Sequence, residues 1–406
     1  MSIPNIEHCN LHSKTVLLRV DFNVPIEHDK ICDITRILRV LPTIQYLKHQ
    51  NTKIILLSHF GRPTMRNNNL SLRKIVDTVS SIFNRDVQFI DDCIGHKVLL
   101  KIQKMKNGDI ILLENVRFYQ EEESNSSDFA RELSDLADIY INDAFSCSHR
   151  THASIVGITR FLPSYGGFCL QNEIKFLQQA ISYQDKPVTA IIGGSKILNK
   201  IKILKTLAQK VDYLILGGAI ANNFLLFNKI NIGKSFFQDG IDSILEECIV
   251  TSHNNNCRIL LPEDILVARN SNYNVSILRN IQDVLDDDTI LDVGIKTVHS
   301  IKTILRKSKM LIWNGPMGMF EHSAFANGTI ALMKEISRLT YVGKLSSIIG
   351  GGDSISAMHS TMLTDKDFTY VSTGGGAFLN WFSNNEMPGI IALKNNPNNY
   401  ATDIKK

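Results

Sequence analysis

Residues 346–354 read SSIIGGGDS, a short apolar run that is followed at once by three glycines, an aspartate and a serine. An apolar, β-branched run that ends in glycines is typical of a buried strand that leads into a turn. Glycine lets a ligand approach the main chain closely, and such a turn suits a phosphate group. The charged residue in the turn is nevertheless an acid, Asp353, so the positive charge that an anion needs must come from elsewhere in the chain.

The same pattern recurs along the chain. Short apolar runs alternate with amphipathic stretches of helical length, and this alternation indicates βαβ units and parallel sheets. We predict five strands in the first half, at 16–20, 53–57, 87–90, 109–113 and 139–141, and six in the second half, at 188–192, 213–216, 258–261, 310–313, 346–349 and 369–371. The sequence therefore predicts an α/β protein with a parallel sheet in each half.

The length of the chain favours two domains, because a single hydrophobic core rarely grows beyond about 250–300 residues and this chain has 406. The stretch GFCLQNEIKFLQQAISY (167–183) has the length of a helix and separates the two sets of strands. We therefore predict an N-terminal α/β domain at 1–166, a connecting hinge helix and linker at 167–187, a C-terminal α/β domain at 188–393 and a polar tail at 394–406.

Composition argues against several classes of protein. The formal net charge of +4 is too small to indicate binding to nucleic acid or to a membrane, and no apolar run approaches the length of a membrane span. The seven cysteines are scattered without a CxxC pair, which favours reduced thiols in the cytoplasm. A hinged, two-domain solute-binding protein would share this plan, but it would need a signal peptide, and none is expected from the N-terminal residues.

The segments that follow the first-half strands carry arginines and histidines. Open parallel sheets bind ligands at the carboxyl ends of their strands. Several converging arginines suit a small, highly charged acid, because the guanidinium group matches carboxylate and phosphate oxygens. The residues of this kind are Arg36, Arg62, Arg117 and Arg150, with His59, His149 and His152 among them. The alternatives are that each arginine forms a surface ion pair and that each histidine is a packed neighbour of an arginine.

The segments that follow most second-half strands carry glycines, together with lysine and aspartate. They include GGSK (193–196), GGAIANN (217–223), NGPMG (314–318), GGGDS (350–354) and STGGG (372–376). Glycine-rich turns that enter helices suit nucleotide phosphates, although such turns also serve close packing of a helix on a sheet. The dinucleotide fingerprint GxGxxG is absent from GGGDSI and GGGAFL, and NKINIGKS (228–235) lacks the first glycine of the Walker motif GxxxxGK[ST].

Two lysines supply part of the positive charge that the GGGDS turn lacks. Lys196 and Lys200 lie four residues apart, so a helix that has begun at Lys196 would carry both ammonium groups on one face. A bound cation would supply the rest, because Asp353 is a hard oxygen ligand and Mg²⁺ is commonly held by one carboxylate together with nucleotide phosphates. The alternative for Asp353 is a helix N-cap, and it remains open at this point.

Seven motifs, in order along the chain, resemble those of the phosphoglycerate kinase family. They are RVDFNVP (19–25), SHFGRP (58–63), LLENVRF (112–118), NDAF (142–145) followed by HRTHAS (149–154), WNGPMGMFE (313–321), GGGDS (350–354) and STGGGA (372–377). The resemblance implies two doubly wound, Rossmann-like parallel-sheet domains joined by a hinge helix. It also implies a reaction of glycolysis and gluconeogenesis, the reversible in-line transfer of a phosphoryl group from 1,3-bisphosphoglycerate to MgADP after domain closure.

Carried over position by position, the resemblance implies a role for each residue of two sites. The N-terminal domain would bind the phosphoglycerate through Asp21, Asn23, Arg36, His59, Arg62, Arg117 and Arg150. The C-terminal domain would bind the nucleotide through Lys200, Gly217, Gly218, Asn314, Glu321, Gly350, Gly351, Gly352, Asp353 and Ser354, with Asp353 as the ligand of Mg²⁺. The residues Arg36, Lys196, Gly351 and Gly374 would act in catalysis, and the enzyme would be a cytoplasmic monomer with small-molecule substrates.

The chain departs from the family's usual motifs at a few positions. GGSK replaces GGAK, GGAIANNF (217–224) replaces GGGMAxTF, FSCSH (145–149) replaces FGTAH, and Asn199 replaces an aspartate. The change in GGAIANNF falls on the segment that the resemblance places beside the adenine. Because no proposed charged group is lost, we expect an active enzyme, and a catalytically inactive homologue that serves as a scaffold is the alternative.

Overall fold

The structure is a computed structural model that describes residues 3–269, 272–383 and 387–401. The chain divides into two compact units, Met1–Lys175 with Glu386–Lys406, and Phe176–Asn385. Each unit contains a six-stranded parallel sheet and its own hydrophobic core, which confirms the predicted α/β class. Within the described residues, no helix is both long and apolar enough to cross a membrane.

The first unit is built on a parallel sheet with the strand order β5-β6-β4-β1-β7-β8, and β2 and β3 form a separate antiparallel hairpin. The strands are β1 (Thr15–Arg19), β2 (Ile26–Glu27), β3 (Lys30–Ile31), β4 (Lys53–Leu57), β5 (Val87–Ile90), β6 (Ile110–Leu113), β7 (Ile139–Asn142) and β8 (Ser164–Gly166). The helices are α1 (Thr35–His49), α2 (Val76–Phe83), α3 (His96–Gln103), α4 (Gln120–Glu123), α5 (Ser127–Ser134) and α6 (Phe168–Ile181), and α6 continues into the second unit.

The winding of the first sheet reverses at β1. The chain places β4, β5 and β6 on one side of β1 and then returns to place β7 and β8 on the other side. At such a reversal the carboxyl ends of the two neighbouring strands, here β1 and β7, border a crevice that suits a ligand. The segments that follow β1 and β7 are those in which the sequence analysis found Asp21, Asn23 and Arg150.

The second unit is built on a parallel sheet with the order β11-β10-β9-β15-β16-β17 and carries a small antiparallel sheet, β13-β12-β14. Its strands are β9 (Val188–Ile192), β10 (Tyr213–Leu216), β11 (Arg258–Leu260), β12 (Asp264–Arg269), β13 (Ile277–Asn280), β14 (Asp288–Val293), β15 (Met310–Asn314), β16 (Ser346–Gly350) and β17 (Tyr370–Ser372). Its helices are α7 (Ile197–Ala208), α8 (Gly218–Phe227), α9 (Asp242–Asn254), α10 (Ile295–Leu305), α11 (Asn327–Tyr341), α12 (Gly352–His359) and α13 (Gly376–Phe382). The winding reverses between β9 and β15.

All eleven predicted strands are present, each within one residue of its predicted ends. Parallel strands that are covered on both faces are buried along most of their length, so their sequences are continuous apolar runs that stand out clearly. The predicted connecting helix corresponds to α6.

The C-terminal segment differs from our division of the chain, because it packs on the first unit. The segment carries α14 (Pro388–Lys394) and α15 (Asn398–Ala401). Gly389 N donates to Ser148 O at 2.9 Å, Asn396 Nδ2 donates to Leu162 O at 2.8 Å, and Asn399 Nδ2 donates to Ser164 O at 2.9 Å. The asparagines that made this segment resemble a polar tail therefore bind backbone groups beside β8. Residues 387–401 belong to the first unit, whereas the predicted division places 387–393 in the C-terminal domain and the rest in the tail.

Candidate functional site

The carboxyl ends of β1, β4 and β7 meet around the carboxylate of Asp21. Arg36 Nη1, from the start of α1, donates to Asp21 Oδ2 at 2.7 Å and to Asn23 O at 3.0 Å. Ser146 Oγ, after β7, donates to the same Oδ2 atom. Asn23 Oδ1 accepts a hydrogen bond from Gly61 N, after β4, at 2.8 Å. These contacts bring Asp21, Asn23 and Arg36 together as predicted and join them to the SHFGRP segment.

Burial and charge set the protonation states in this cluster. Burial alone would raise the pKa of Asp21, but Arg36 and the hydroxyl of Ser146 hold it well below its usual range. Burial lowers the pKa of His59 well below 6.5; Asp21 opposes this effect, and Arg19, Arg117 and Arg150 add to it. The cluster therefore consists of an ionised carboxylate, a neutral imidazole and several guanidinium groups.

The arginines of the first unit differ in how well they are paired. Arg117 is buried and donates from Nη1 to Gly61 O at 2.6 Å. Its Nε atom lies 3.1 Å from Glu123 Oε1 but forms no hydrogen bond among the described residues. Arg150 Nε lies 3.4 Å from His149 Nε2, and Arg150 Nη1 is buried without a hydrogen-bond partner among the described residues. Burial, with Arg150 as the next cause, lowers the pKa of His149 to about 4.

These contacts test the alternative that each predicted arginine forms only a surface ion pair. Arg62 is exposed, and no salt bridge is found for Arg62 or Arg150 within the described part of the chain. A buried guanidinium nitrogen without an acceptor is costly, because it has lost its water without gaining a partner. The unpaired Nη1 atom of Arg150 therefore indicates a place for an anionic ligand.

Three residues of this region were not predicted from the sequence. Arg19 is almost completely buried and lies with Nη2 3.3 Å from His59 Nδ1. Glu122 is wholly buried and accepts hydrogen bonds from Ser154. Ser146 contacts Asp21 directly. An arginine at the end of the apolar strand VLLRV was a usable signal for Arg19, whereas nothing distinguished Glu122 within the run EEE.

In the second unit, the carboxyl ends of β9, β15 and β16 lie side by side. Lys200 is buried and donates from Nζ to Gly193 O at 2.7 Å. Burial lowers the pKa of Lys200 to about 8, an effect that Asp353 opposes and Lys196 supports. Asn314 Nδ2 donates to Gly350 O at 2.8 Å, which ties the NGPMG segment to the GGGDS turn. The two segments and Lys200 therefore form one cluster.

The GGGDS turn excludes one of the two interpretations of Asp353. Helix α12 begins at Gly352, its N-cap is Gly351, and no side chain caps it. Asp353 therefore lies in the first helical turn, and the N-cap alternative is wrong. Its side chain is 48% exposed, and Oδ2 lies 3.7 Å from Lys196 Nζ. Ser354, by contrast, is buried, accepts from Gly315 N at 2.6 Å and donates to Gly350 O at 2.9 Å.

The two lysines do not share a helical face as predicted. Helix α7 begins at Ile197, so Lys196 is its N-cap residue and precedes the helix. The side chain of Lys196 is 66% exposed, whereas Lys200 is buried. Both ammonium groups nevertheless act on Asp353, Lys196 through the ion pair and Lys200 through its charge. The side chain of Asn199, between them, lies outside the described residues.

The predicted glycines have two different surroundings. A Cβ atom on Gly217, Gly218, Gly350 or Gly351 would come within 3.0 Å of neighbouring atoms, so these glycines serve close packing. A Cβ atom on Gly352 would meet nothing within 4 Å, so the main chain at the start of α12 is open to a ligand. Gly374 N donates to Ser372 Oγ at 3.1 Å, and Glu321 is exposed in the turn after β15.

The unusual run GGAIANNF has a structural role in helix α8. Asn222 Nδ2 donates to Phe236 O at 3.0 Å. Asn223 Nδ2 donates to Gln238 O at 2.8 Å, and Asn223 Oδ1 accepts from Gln238 N at 3.1 Å. The two asparagines therefore anchor residues 236–238 to the helix. In the described part of the chain, no group of three or more His, Cys, Asp or Glu residues could hold a metal ion.

Known proteins are similar to the chain over nearly its whole length. The family model described as phosphoglycerate kinase matches residues 6–385. The chain is 62% identical over 390 residues to the phosphoglycerate kinase of Wolbachia pipientis subsp. Culex pipiens (96% of this chain, 98% of the relative). It is 42% identical over 395 residues to that of Bartonella henselae (97% and 99%).

Two solved structures are similar to the chain. The phosphoglycerate kinase from Coxiella burnetii has a TM-score of 0.85 and 34% sequence identity, with 97% of this chain and 99% of that chain covered. The phosphoglycerate kinase from Pyrococcus horikoshii OT3 has a TM-score of 0.82 and 30% identity, with 96% and 98% covered.

Proposed function

The chain belongs to the phosphoglycerate kinase family, and from that premise we propose which residues of each unit bind the two substrates. The activity is that of a glycolytic phosphotransferase with a carboxyl group as acceptor. In the direction of ATP formation, the bond between phosphorus and the acyl oxygen of 1,3-bisphosphoglycerate breaks and a bond to the terminal phosphate oxygen of ADP forms. The products are 3-phosphoglycerate and ATP.

We assign the phosphoglycerate to the cluster around Asp21 in the first unit. The observation that supports this assignment is the buried, unpaired Nη1 atom of Arg150, beside an excess of guanidinium groups over carboxylates. Arg36, Arg62, Arg117 and Arg150 would bind the phosphate and carboxylate groups. Asp21 would orient Arg36, Asn23 would orient the backbone at Gly61, and His59 would donate a hydrogen bond.

We assign the nucleotide to the cluster of the second unit that contains Lys200, Asn314, Glu321 and the GGGDS turn. The open main chain at Gly352 and the N-terminus of α12 would receive phosphate oxygens. Lys200, held by Gly193 O, would contact a nucleotide phosphate, and the exposed Lys196 would move to the phosphoryl group in transfer. Gly217 and Gly218 would lie beside the adenine, and Gly350, Gly351 and Gly374 would lie near the phosphates.

A single half-exposed carboxylate fits the binding of Mg²⁺ together with nucleotide phosphates. Asp353 would hold the ion, and Ser354 would support the turn from beneath. When bound, Mg²⁺ neutralises phosphate charge. Lys196, whose ammonium group lies 3.7 Å from Asp353 Oδ2, would stabilise the transferred phosphoryl group.

Phosphoryl transfer in this reaction requires positioning and neutralisation of charge, and it requires no general base. In the reverse direction the acceptor is an ionised carboxylate, which has no proton to remove. The neutral state of His59 agrees with this chemistry. We further propose that the two domains close before in-line transfer and that the enzyme is a monomer in the cytoplasm.

Two measurements test the proposed function. A coupled assay should show ATP formation from 1,3-bisphosphoglycerate and ADP that depends on Mg²⁺. Calorimetry should show separate binding of 3-phosphoglycerate and of MgATP. Binding of both ligands without turnover would instead support the alternative of an inactive scaffold, and the absence of binding would refute the site assignment.

A further inference from the structure

Arg19 and Glu122 form a buried charge pair that is bridged by a hydroxyl group. Arg19 Nε donates to Ser154 Oγ at 3.0 Å, and Ser154 Oγ donates to Glu122 Oε1 at 2.6 Å. Glu122 Oε2 accepts a second hydrogen bond from Ser154 N at 2.9 Å. Both charged side chains are almost completely buried, and a buried guanidinium group needs a compensating charge. Glu122 supplies that charge through Ser154.

The donors of this chain of hydrogen bonds all point in one direction. A guanidinium group has only donors, so Ser154 Oγ must accept from Arg19 and use its own proton for Glu122. At its other side, Arg19 Nη2 lies 3.3 Å from His59 Nδ1. Because Arg19 cannot accept a hydrogen bond, Nδ1 must offer its lone pair. The ring proton of His59 then resides on Nε2.

We propose that Arg19 is a positioning residue that holds His59 as the neutral tautomer protonated on Nε2, so that His59 serves the substrate as a hydrogen-bond donor and not as a cation. The inference rests on the proposed function, because it deepens the role of His59 in the site assigned to 3-phosphoglycerate. Among the described residues, Nε2 has no hydrogen-bond partner, and it is therefore available to a ligand oxygen.

The charges that surround His59 favour this state. The groups that face it are Arg19 from β1, Asp21 after β1, Arg117 after β6, and Cys147 and Arg150 after β7. Asp21 is the one group that would stabilise an imidazolium, but Asp21 Oδ1 lies 3.9 Å from Nδ1, beyond hydrogen-bond distance. The same carboxylate is already engaged by Arg36 and Ser146. Burial and three arginines together keep the pKa of His59 well below 6.5.

The tautomer can be observed directly in the full-length protein. Long-range ¹H–¹⁵N correlation spectra of protein labelled with ¹⁵N-histidine distinguish the two neutral tautomers from the imidazolium, and His59→Gln assigns the signals. We expect Nδ1 to stay unprotonated and Nε2 protonated over the range of about pH 5.5–8 in which an ordinary histidine titrates. A ring protonated on both nitrogens near the middle of this range, or protonated on Nδ1 alone, would overturn the inference.

The same spectra separate this inference from the proposed function. Added 3-phosphoglycerate should shift the Nε2 signal of His59 and leave the tautomer unchanged. If the tautomer is as expected but 3-phosphoglycerate leaves the signal in place, the assignment of the site fails, and the donor role of His59 fails with it. The hydrogen-bonded chain from Glu122 to Nδ1 would then stand as a structural feature only.

Two sets of variants test the positioning role. The side-chain amide N–H that His59→Gln introduces reaches the place of Nε2, whereas the shorter amide of His59→Asn reaches only the place of Nδ1. The glutamine variant should therefore lose much less 3-phosphoglycerate affinity than the asparagine variant. Arg19→Lys keeps the buried charge but lacks the fixed fork through which Nε donates to Ser154 and Nη2 to His59. We expect it to raise the KM for 3-phosphoglycerate by about ten- to a hundred-fold, as for one hydrogen bond to a charged group, with the KM for MgATP unchanged and the His59 tautomers mixed.

The comparison at position 59 keeps the proposal testable even if Arg19→Lys does not fold. Equal losses of 3-phosphoglycerate affinity in His59→Gln and His59→Asn would overturn the donor role. A folded Arg19→Lys protein with a single Nε2-protonated tautomer would overturn the positioning role of Arg19.

Discussion

The replacement Asp353→Asn tests the assignment of the metal ligand in isolation. The substitution keeps the size and shape of the side chain and removes its charge. Asp353 lies in the first turn of α12, and Gly351 is the N-cap residue. The variant therefore loses no cap, and any change in turnover must come from the carboxylate itself.

The expected cost in stability is small. Asp353 Oδ2 lies 3.7 Å from Lys196 Nζ, with the two side chains 48% and 66% exposed. An exposed ion pair contributes about 0–1 kcal/mol, and an acid at a helix N-terminus contributes about 0.3–1 kcal/mol. We therefore expect the free energy of unfolding to fall by no more than about 1–2 kcal/mol, whereas turnover should fall by ~10²–10³-fold, as for the loss of one catalytic electrostatic group.

Three measurements on one preparation decide the matter: denaturant unfolding, calorimetry with 3-phosphoglycerate, and turnover at a series of Mg²⁺ concentrations. Asp242→Asn is a matched control, because Asp242 is an exposed acid in the first turn of α9 in the same unit. The control should show normal turnover and a similar small loss of stability. Normal turnover of Asp353→Asn with an unchanged Mg²⁺ optimum would refute the metal role.

The strands of the two parallel sheets could be predicted because burial on both faces makes them continuous apolar runs, such as KIILL at β4 and VTAII at β9. The antiparallel sheet β12–β14 was missed. Its strand β13 alternates between half-buried and exposed residues, and β14 begins with a buried acid, Asp288, that pairs with Arg269 and Arg279. Such a strand has too few apolar residues to differ from a loop in sequence.

The site was predictable where residue type alone decides the chemistry. Arginines after parallel strands and glycines before helices indicate anion binding, whichever contacts they make. The roles of Arg19 and Glu122 depend on burial, and the sequence does not show which charged residues are enclosed. Whether Asp353 caps a helix depended on a helix boundary, and such boundaries are uncertain by a few residues when they are predicted from sequence.

The remaining predictions use single substitutions. Arg150→Ala should weaken 3-phosphoglycerate binding by about 2–5 kcal/mol in calorimetry and leave MgATP binding unchanged. Arg62 is exposed, so Arg62→Ala should lose less 3-phosphoglycerate affinity. Equal losses of affinity for both ligands would indicate a folding defect. Lys196→Met should lower kcat by ~10²–10³-fold with little change in the KM of either substrate. A near-normal kcat in steady-state assays would show that Lys196 does not stabilise the transferred phosphoryl group and would assign that role to Lys200. Burial raises the pKa of Asp292 to about 7, against hydrogen bonds from the backbone of Gly328 and Val293. The folded chain then binds more protons than the unfolded chain between about pH 4 and pH 7, so the free energy of unfolding falls as the pH rises through this window, by at most about 4 kcal/mol. Asp292→Asn cannot ionise, so its free energy of unfolding relative to the unchanged protein should rise between about pH 4 and pH 7 in denaturant unfolding. A difference that is independent of pH would contradict a raised pKa.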